Sequence, residues 1–478
     1  MPAPWRVLKF GGTSVNGAEQ WQAIAGLVAA HRANGDRVVL VCSALAGVTN
    51  ALQAMSVPEN AAPQLLDKLL QQHERLAATL GIDAEPLLAE ARERIERAVA
   101  EHAREPGPPR LAALLANGEW LSSRLGQVFL ATRMAVDWVD ATEALQVVPE
   151  RQAESSRAWL SARCEARADP ALAARWAGLA PVLITQGFVA NKGDGRPALL
   201  GRGGSDTSAA LLACRLEAPE VEIWTDVPGL FSADPLQEPG ARLLQQLDYG
   251  EALEMAASGA RVVHPRCIRA ASDCGLPLVI RDIRRPRLRG TRIERSADGA
   301  LGGTPLEGVK AVTRQDGMLV ILLENLDTRQ QVGFLAWVFA VISDLGVSVD
   351  LVATSETTTT LAINGVDNHL DRHLVTAMSE KLSRRCRLRL YPNCSCVNLV
   401  GRGVRTVLAD LGDSARSFQE WPLLMLSLSA NDMCLSFLVQ AGQANALLHE
   451  LHERLVVGRA TDSHPVFGVA WGDLERAD

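Results

Sequence analysis

From Arg6 to Ile280 the chain repeats one rhythm, a short apolar run followed by a stretch with helical spacing. Arg6–Phe10, Arg37–Cys42, Ala135–Val139, Val182–Phe188, Val221–Thr225 and Leu276–Ile280 read as strands. Parallel strands need a crossover between them, usually a helix, so this alternation predicts a βα layered fold around a largely parallel sheet. Between the second and third strands, Leu65, Leu66, Leu69 and Leu70, then Leu87, Leu88, Ala91, Ile95, Ala98 and Val99, recur at helical spacing with charged faces. The pattern stops at Pro106-Gly107-Pro108-Pro109-Arg110 and restarts near Leu111. The heptads are too few for a coiled coil, so this segment reads as a helical insertion beside the sheet.

A polar, glycine-rich linker is expected from Arg289 to Pro305, and beyond it the rhythm changes. Met318–Leu323 reads as a strand, Gly333–Leu345 as a helix, Val347–Thr354 and Thr357–Ile363 as strands, and His369–Leu382 as a helix. A comparable set follows: strand Val397–Val400, helix Val404–Phe418, strands Leu423–Leu428 and Met433–Val439, helix Ala444–Leu455. Both sets place a helix before two closely spaced strands. They read as two copies of one βαββα unit in preference to a single larger α+β domain. An apolar tail, Pro465–Gly472, either packs back on the body or leads toward a further domain.

At 478 residues two or three domains are expected, and 47% hydrophobic with 22% charged residues marks a soluble globular chain. A net charge of −7 provides no basic field for nucleic acid. The start runs from Met1-Pro2-Ala3-Pro4 into a strand, which leaves no room for a signal peptide. No apolar run nears the ~18 residues that span a bilayer, and the longest, Phe334–Ile342, suits a buried helix. The nine cysteines have no zinc spacing and are expected as reduced, buried thiols in a cytoplasmic protein.

Chemistry concentrates in two glycine-rich turns. Lys9-Phe10-Gly11-Gly12-Thr13-Ser14 follows the first strand, and its backbone N–H groups, expected at a helix entrance, suit an anion beside the Lys9 cation. Gly201-Arg202-Gly203-Gly204-Ser205-Asp206 opens a second helix with a guanidinium fork for a carboxylate or phosphate. Neither is a Walker A loop, a dinucleotide fingerprint or a protein-kinase set. Together they suggest two negatively charged reactants.

These residues lead to a resemblance. The chain resembles the aspartate kinases of the amino-acid-kinase family, above all the lysine-sensitive monofunctional type, over nearly its whole length. The anchors are Lys9–Ser14, Ser43-Ala44-Leu45-Ala46-Gly47-Val48-Thr49-Asn50, Gly118-Glu119, Ile184-Thr185-Gln186-Gly187-Phe188, Gly201–Asp206, Trp224-Thr225-Asp226-Val227-Pro228-Gly229 and Gly259-Ala260-Arg261-Val262-Val263-His264-Pro265. The resemblance implies a three-layer αβα kinase domain over residues 1–292. It implies ACT domains over 306–392 and 393–460, the second completed by a strand near 307–314, and a tail over 461–478.

The implied reaction carries a phosphoryl group from MgATP to the β-carboxylate of aspartate, with Mg²⁺ held mainly through the nucleotide phosphates and no protein metal ligand assigned. A carboxylate is already ionised at neutral pH, so the chemistry needs positioning and charge neutralisation and no general base. Carried over residue by residue, Lys9 contacts the transferring phosphoryl group and Asp206 orients Lys9 or the metal environment. Arg202, Ser205 and Thr49 bind the substrate carboxylate, with Phe188, Gly203 and Gly204 beside them, and Glu119 receives the ammonium. Gly11, Gly12, Thr13, Ser14, Thr225, Asp226, Phe231 and Arg261 fall on the nucleotide side. His264 reads as structural. Phe231, Leu236 and Arg261 depart from the family's usual Tyr, Arg and Lys, which weakens the nucleotide contacts by ~1.5–3 kcal/mol for each lost charged bond.

In the ACT pair, Gly333, Phe334, Leu335, Val349, Asp350, Thr354, Ser355 and Glu356 are the implied effector residues. Their charges suit lysine better than threonine, although the loop Asp327–Val332 lacks the Met and Ser of the lysine-sensitive pattern. A homodimer or a dimer of dimers is implied. Two other readings compete: a kinase for glutamate or N-acetylglutamate, and a catalytically silent amino-acid sensor.

Overall fold

The computed structural model describes residues 3–149, 155–260, 262–295, 307–325, 332–410, 423–458 and 465–477. The chain divides into two compact units. One comprises Met1–Leu230, Gln245–Leu253 and Arg261–Ser296; the other comprises Phe231–Leu244, Glu254–Ala260 and Ala297–Asp478.

The first unit is built on an eight-stranded sheet in the order Val136–Trp138, Val182–Gln186, Arg37–Cys42, Trp5–Phe10, Val221–Thr225, Leu278–Asp282, Thr291–Glu294 and Gln246–Asp248. Every pairing is parallel except Leu278–Ile280 with Thr291–Ile293. Thr291–Glu294 was expected as linker. Its alternation, Thr291 and Ile293 fully buried between partly exposed arginine and glutamate, is short enough to be lost among polar neighbours. The last parallel strand lies two residues beyond its expected position, at Leu278–Asp282.

Period-two alternation sorts the central strands' side chains between two faces. Leu8, Phe10, Leu40 and Ile184 share a core with Trp21, Ile24 and Val28 of the helix Ala18–Ala33 and Leu121, Leu125 and Phe129 of the helix Asn117–Ala131. The Trp21 and Phe129 rings meet edge-on at 6.0 Å. Gly126 makes this approach possible, since a Cβ there would stand 2.1 Å from the Trp21 ring. On the opposite face, with Val7 and Lys9, lies the helix Gly204–Arg215, whose residues from Gly204 to Cys214 are all buried. The helical insertion is the pair Ala62–Leu80 and Glu85–Arg104, followed by Pro108–Leu115.

Cys214 and Cys274 form a disulfide, which corrects the expectation of nine reduced thiols. They close the ends of two helices packed side by side, Gly204–Arg215 and Pro265–Asp273, with Cα atoms 6.1 Å apart across 60 residues of sequence. A separation of that size carries no signal in the sequence.

The second unit holds a six-stranded antiparallel sheet ordered Leu351–Thr354, Thr358–Asn364, Gly308–Asn325, Cys386–Arg402, Cys434–Gln440 and Met425–Leu428. Its two central strands run 18 and 17 residues, far longer than the expected Met318–Leu323 and Val397–Val400. Each serves both halves of the repeat, with register shifts between Gln315 and Val320 where one half passes into the other. Helices Phe334–Asp344 and Arg372–Leu382 cover the first half through Val338, Ile342, Met378 and Leu382. The expected helix Val404–Phe418 is a 3₁₀ turn, Val404–Thr406, and a short helix, Val407–Asp410, and the rest lies outside the described residues. The apolar tail packs back within this unit: Phe467–Ala470 pairs with Arg242–Leu244, and the Trp471 N–H donates to the Ala241 carbonyl at 2.8 Å.

Candidate active site

The carboxyl ends of parallel strands are where an open α/β sheet binds ligands. A cavity of about 520 Å³ opens at that edge of the first unit, lined by Lys9, Thr49, Glu119, Phe188 and every residue from Gly201 to Asp206. The residues expected on the catalytic and substrate side therefore come together in one place. Ser43, Asn50, Gln53, Leu115, Leu160 and Leu199 line it too. Ser43 and Asn50 belong to the Ser43–Asn50 motif, whereas Leu115 and Leu160 sit in short helices where an apolar residue signals only core.

Lys9 is one residue from a strand end, on the face that carries the helix Gly204–Arg215. Its Nζ reaches Asp206 Oδ1 at 2.5 Å, and both side chains are about nine-tenths buried. This pair fixes a cation at the cavity wall while leaving the other ammonium protons for a ligand.

The turn before Asp206 is tightly built. Gly201 and Gly203 have φ of 76° and 66°, values that favour glycine. A Cβ on Gly203 would stand 2.2 Å from His264 Cβ, and one on Gly204 would stand 2.4 Å from the Phe188 ring. Phe188 itself is held at φ 70°, its N–H donating to Ser208 Oγ at 2.9 Å and its carbonyl accepting from Leu200 N–H at 2.8 Å. A left-handed phenylalanine is strained by about 1–3 kcal/mol, which marks a site where the surroundings override local preference. The helix then begins at Gly204 with its first turn buried. His264 Nδ1 accepts from Arg266 N–H at 3.2 Å and so caps the helix Pro265–Asp273.

Glu119 lies in the first turn of the helix Asn117–Ala131, with Gly118 close against Ala44 and Val48. The side chain is 5% exposed and takes a hydrogen bond from the Ala44 N–H, but Oε2 has no partner among the described residues. Burial pushes its carboxyl up to about 8, against the backbone donors and Lys9, which pull it down. A buried carboxylate oxygen left unpaired beside a cavity is prepared for a cationic group that restores its ionised form.

The first glycine turn departs from expectation. Its helix starts only at Ala18, and Gly11–Ser14 is a closed turn. Gly11 N–H donates to the Trp224 carbonyl at 3.3 Å, while Ser14 and Val15 N–H groups both bond to the Gly11 carbonyl. It is therefore no helix entrance. Thr225 ends the neighbouring strand and Asp226 follows it, where Phe10 and Trp224 are in register, so they flank this turn. Thr225 Oγ1 donates to Asp226 Oδ1 at 3.1 Å. Of the remaining nucleotide-side residues, Arg261 lies outside the described residues. Phe231 belongs to the second unit, its ring buried and edge-on to Trp471 at 5.4 Å. Leu236 is 88% exposed.

In the second unit Gly333, at φ 89°, precedes the helix carrying Phe334 and Leu335, and most of the Asp327–Val332 loop lies outside the described residues. Asp350 Oδ2 accepts from Asn364 N–H at 2.7 Å, and burial, with Asp367 nearby, holds its carboxyl above the usual range. Val349 precedes it and is half-buried. Thr354 ends the strand, Ser355 closes a turn onto Thr358, and Glu356 is exposed at its tip.

Residues 4–282 match the amino acid kinase family. Lysine-sensitive aspartokinase 3 of Escherichia coli (strain K12) is 31% identical over 465 residues, covering 94% of this chain and 98% of that one. This chain belongs to the amino acid kinase family. Within the family it stands with the aspartokinases. The solved structure of E. coli aspartokinase III with aspartate and ADP is similar at a TM-score of 0.75 and 26% identity, covering 94% of this chain and 99% of that one. The same enzyme with lysine and aspartate gives 0.76 and 27% over the same shares. These likenesses extend across the αβα kinase fold and the antiparallel ACT-type sheet alike. Among the described residues no helix is long and apolar enough to cross a membrane.

Proposed function

We propose that the chain transfers the γ-phosphoryl group of ATP to the β-carboxylate of L-aspartate, giving 4-phospho-L-aspartate, the opening step toward lysine, threonine and methionine. The observation that carries this reading is the charge layout of one cavity: Lys9 paired with Asp206, Arg202 on the glycine turn, and Glu119 buried with one oxygen unpartnered. An α-amino dicarboxylate complements that set, with carboxylates for Arg202 and the helix start and an ammonium for Glu119.

The nucleophile needs no base. The barrier is repulsion between an anionic carboxylate and an anionic phosphate chain, and Lys9 at the strand end meets the charge that builds on the transferring group. Asp206 holds the Lys9 ammonium in place through their ion pair. Buried Glu119, relieved of its desolvation by the substrate ammonium, selects an amino acid over a plain diacid. Mg²⁺, when bound, neutralises charge on the nucleotide phosphates. The carboxylates facing the cavity are Glu119, set for the ammonium, and Asp206, engaged by Lys9, so this donor set fits an ion held through those phosphates. Thr225, Asp226 and the Gly11–Ser14 turn are assigned to the nucleotide.

For regulation, the ACT-type unit is read as two domains over 306–392 and 393–460, binding lysine near Gly333, Asp350 and Glu356 in a homodimer or dimer of dimers. The names of the relatives support lysine. An assay of aspartate-dependent ADP release, trapping acyl phosphate as hydroxamate, tests the activity, with glutamate and N-acetylglutamate as competitors. Failure with every nucleoside triphosphate in folded protein rejects it. A flat response to lysine rejects the assigned effector.

A further inference from the structure

Behind the Arg202 turn stands a side chain with no assigned role. Arg266 is the second residue of the helix Pro265–Asp273, and its guanidinium points back toward the cavity wall. Nη1 donates to the Leu200 carbonyl at 2.8 Å and to the Ser161 carbonyl at 3.3 Å. These carbonyls belong to separate segments. Ser161 follows the helix Ser156–Leu160, whose Leu160 lines the cavity, and Leu200 ends the strand arm that turns into Gly201 and Arg202. Ala162 N–H to the Leu199 carbonyl, at 2.8 Å, joins the same two segments.

We propose that Arg266 is the positioning residue of the carboxylate-binding turn, clamping Leu200 to Ser161 so that Arg202, Gly203, Gly204 and Ser205 are ordered before substrate arrives. The proposal rests on the reading that this turn binds aspartate. Two glycines with left-handed φ make the turn's ordered state expensive in entropy, and its last ladder-like bond among the described residues is Leu200 N–H to the Phe188 carbonyl. A clamp that orders it beforehand removes that cost from binding. The contacts on its other side agree. His264, the cap of the same helix, lies against Gly203, and a Cβ at Gly201 would come within 3.1 Å of Arg266 Nη1 and 2.8 Å of Ser161 Oγ. The first turn of this helix is thus a mould for the loop, and a single guanidinium nitrogen reaches both carbonyls from there. The guanidinium also adds positive charge behind the site: Arg266 and Arg202 both depress the His264 imidazole, after burial.

Arg266→Ala and Arg266→Lys test this in the full chain. Arg266→Ala should raise KM for aspartate about tenfold or more, with KM for ATP within twofold and the melting temperature close to wild type. Arg266→Lys should recover part of the loss. In the free protein, amide hydrogen exchange over 201–205 should quicken in Arg266→Ala while the helix interior over 209–213 stays protected. An unchanged exchange pattern overturns the proposal, as does an aspartate KM within twofold of wild type. So does a parallel loss of both KM values and thermal stability in both variants, the mark of a general structural role. The exchange measurement needs no substrate. A wild-type chain that ignores aspartate therefore rejects the functional reading, while the clamp is judged on its own.

Discussion

Gly11-Gly12-Thr13-Ser14 and Gly201-Arg202-Gly203-Gly204-Ser205 each follow a strand, and each has a cation at hand, yet they do different work. The first folds on itself and ties back to Trp224, with its helix delayed to Ala18. The second runs at once into a 12-residue helix whose first turn is buried and faces a cavity. Anion binding by a helix start needs N–H groups turned toward the ligand site, in line with several turns of peptide dipoles. Only the second turn has that arrangement. The first is a closed turn that leaves Lys9 to act through its side chain.

The largest effect that could break this contrast is at Lys9. Lys9→Met should lower kcat about 10²–10³-fold, equivalent to roughly 2.7–4 kcal/mol, and leave KM for aspartate nearly unchanged. A large rise in KM instead would mean that both turns hold the amino acid.

Next is Glu119. Its folded carboxyl titrates at about 8 against an ordinary 4.5, so folding favours the protonated form. Its contribution to the stability of the free protein is complete below pH 4.5 and is lost as pH rises through about 8. Binding of an ammonium reverses the preference, so aspartate should bind with proton release below about pH 8, its affinity climbing to that point and then levelling. Glu119→Gln should raise KM for aspartate roughly 10–100-fold, abolish that climb in calorimetric titrations, and make the free protein relatively more stable in alkali.

Glycine substitutions sharpen the comparison at smaller scale. Gly203→Ala meets His264 at 2.2 Å in a left-handed backbone, and should cost about 1–3 kcal/mol of stability while raising KM for aspartate. Gly11→Ala meets only the Lys9 ammonium, at an ordinary contact distance of 3.4 Å, and should change kcat less than about threefold. Equal losses at both positions, read by thermal melts and steady-state kinetics, would erase the distinction.

Much of this site was legible beforehand. Lys9, Arg202, Ser205 and Asp206 stand in two glycine-rich motifs at a strand end or a first helical turn, where sequence and geometry are tightly linked; Glu119 is reached only through the family resemblance, and one cavity gathers all five. Leu115, Leu160 and Arg266 carried no such mark, since what makes them part of the site is the company they keep across the fold. The same holds for Cys214 and Cys274, and for Thr291–Glu294, a short strand whose partners lie elsewhere in the chain.

By itself, then, the sequence determined the alternation that demands a parallel sheet, the change to an antiparallel rhythm after it, and the residue types that handle two anions. Local periodicity and glycine placement are properties of neighbouring residues, and they survive without any fold. Tertiary structure alone decided which glycine turn opens a helix toward the cavity, that Glu119 is buried with an oxygen unpaired, and that Arg266 backs the Arg202 turn. Those depend on contacts between residues far apart in the chain, and desolvation, close approach and clamping exist only once such contacts form.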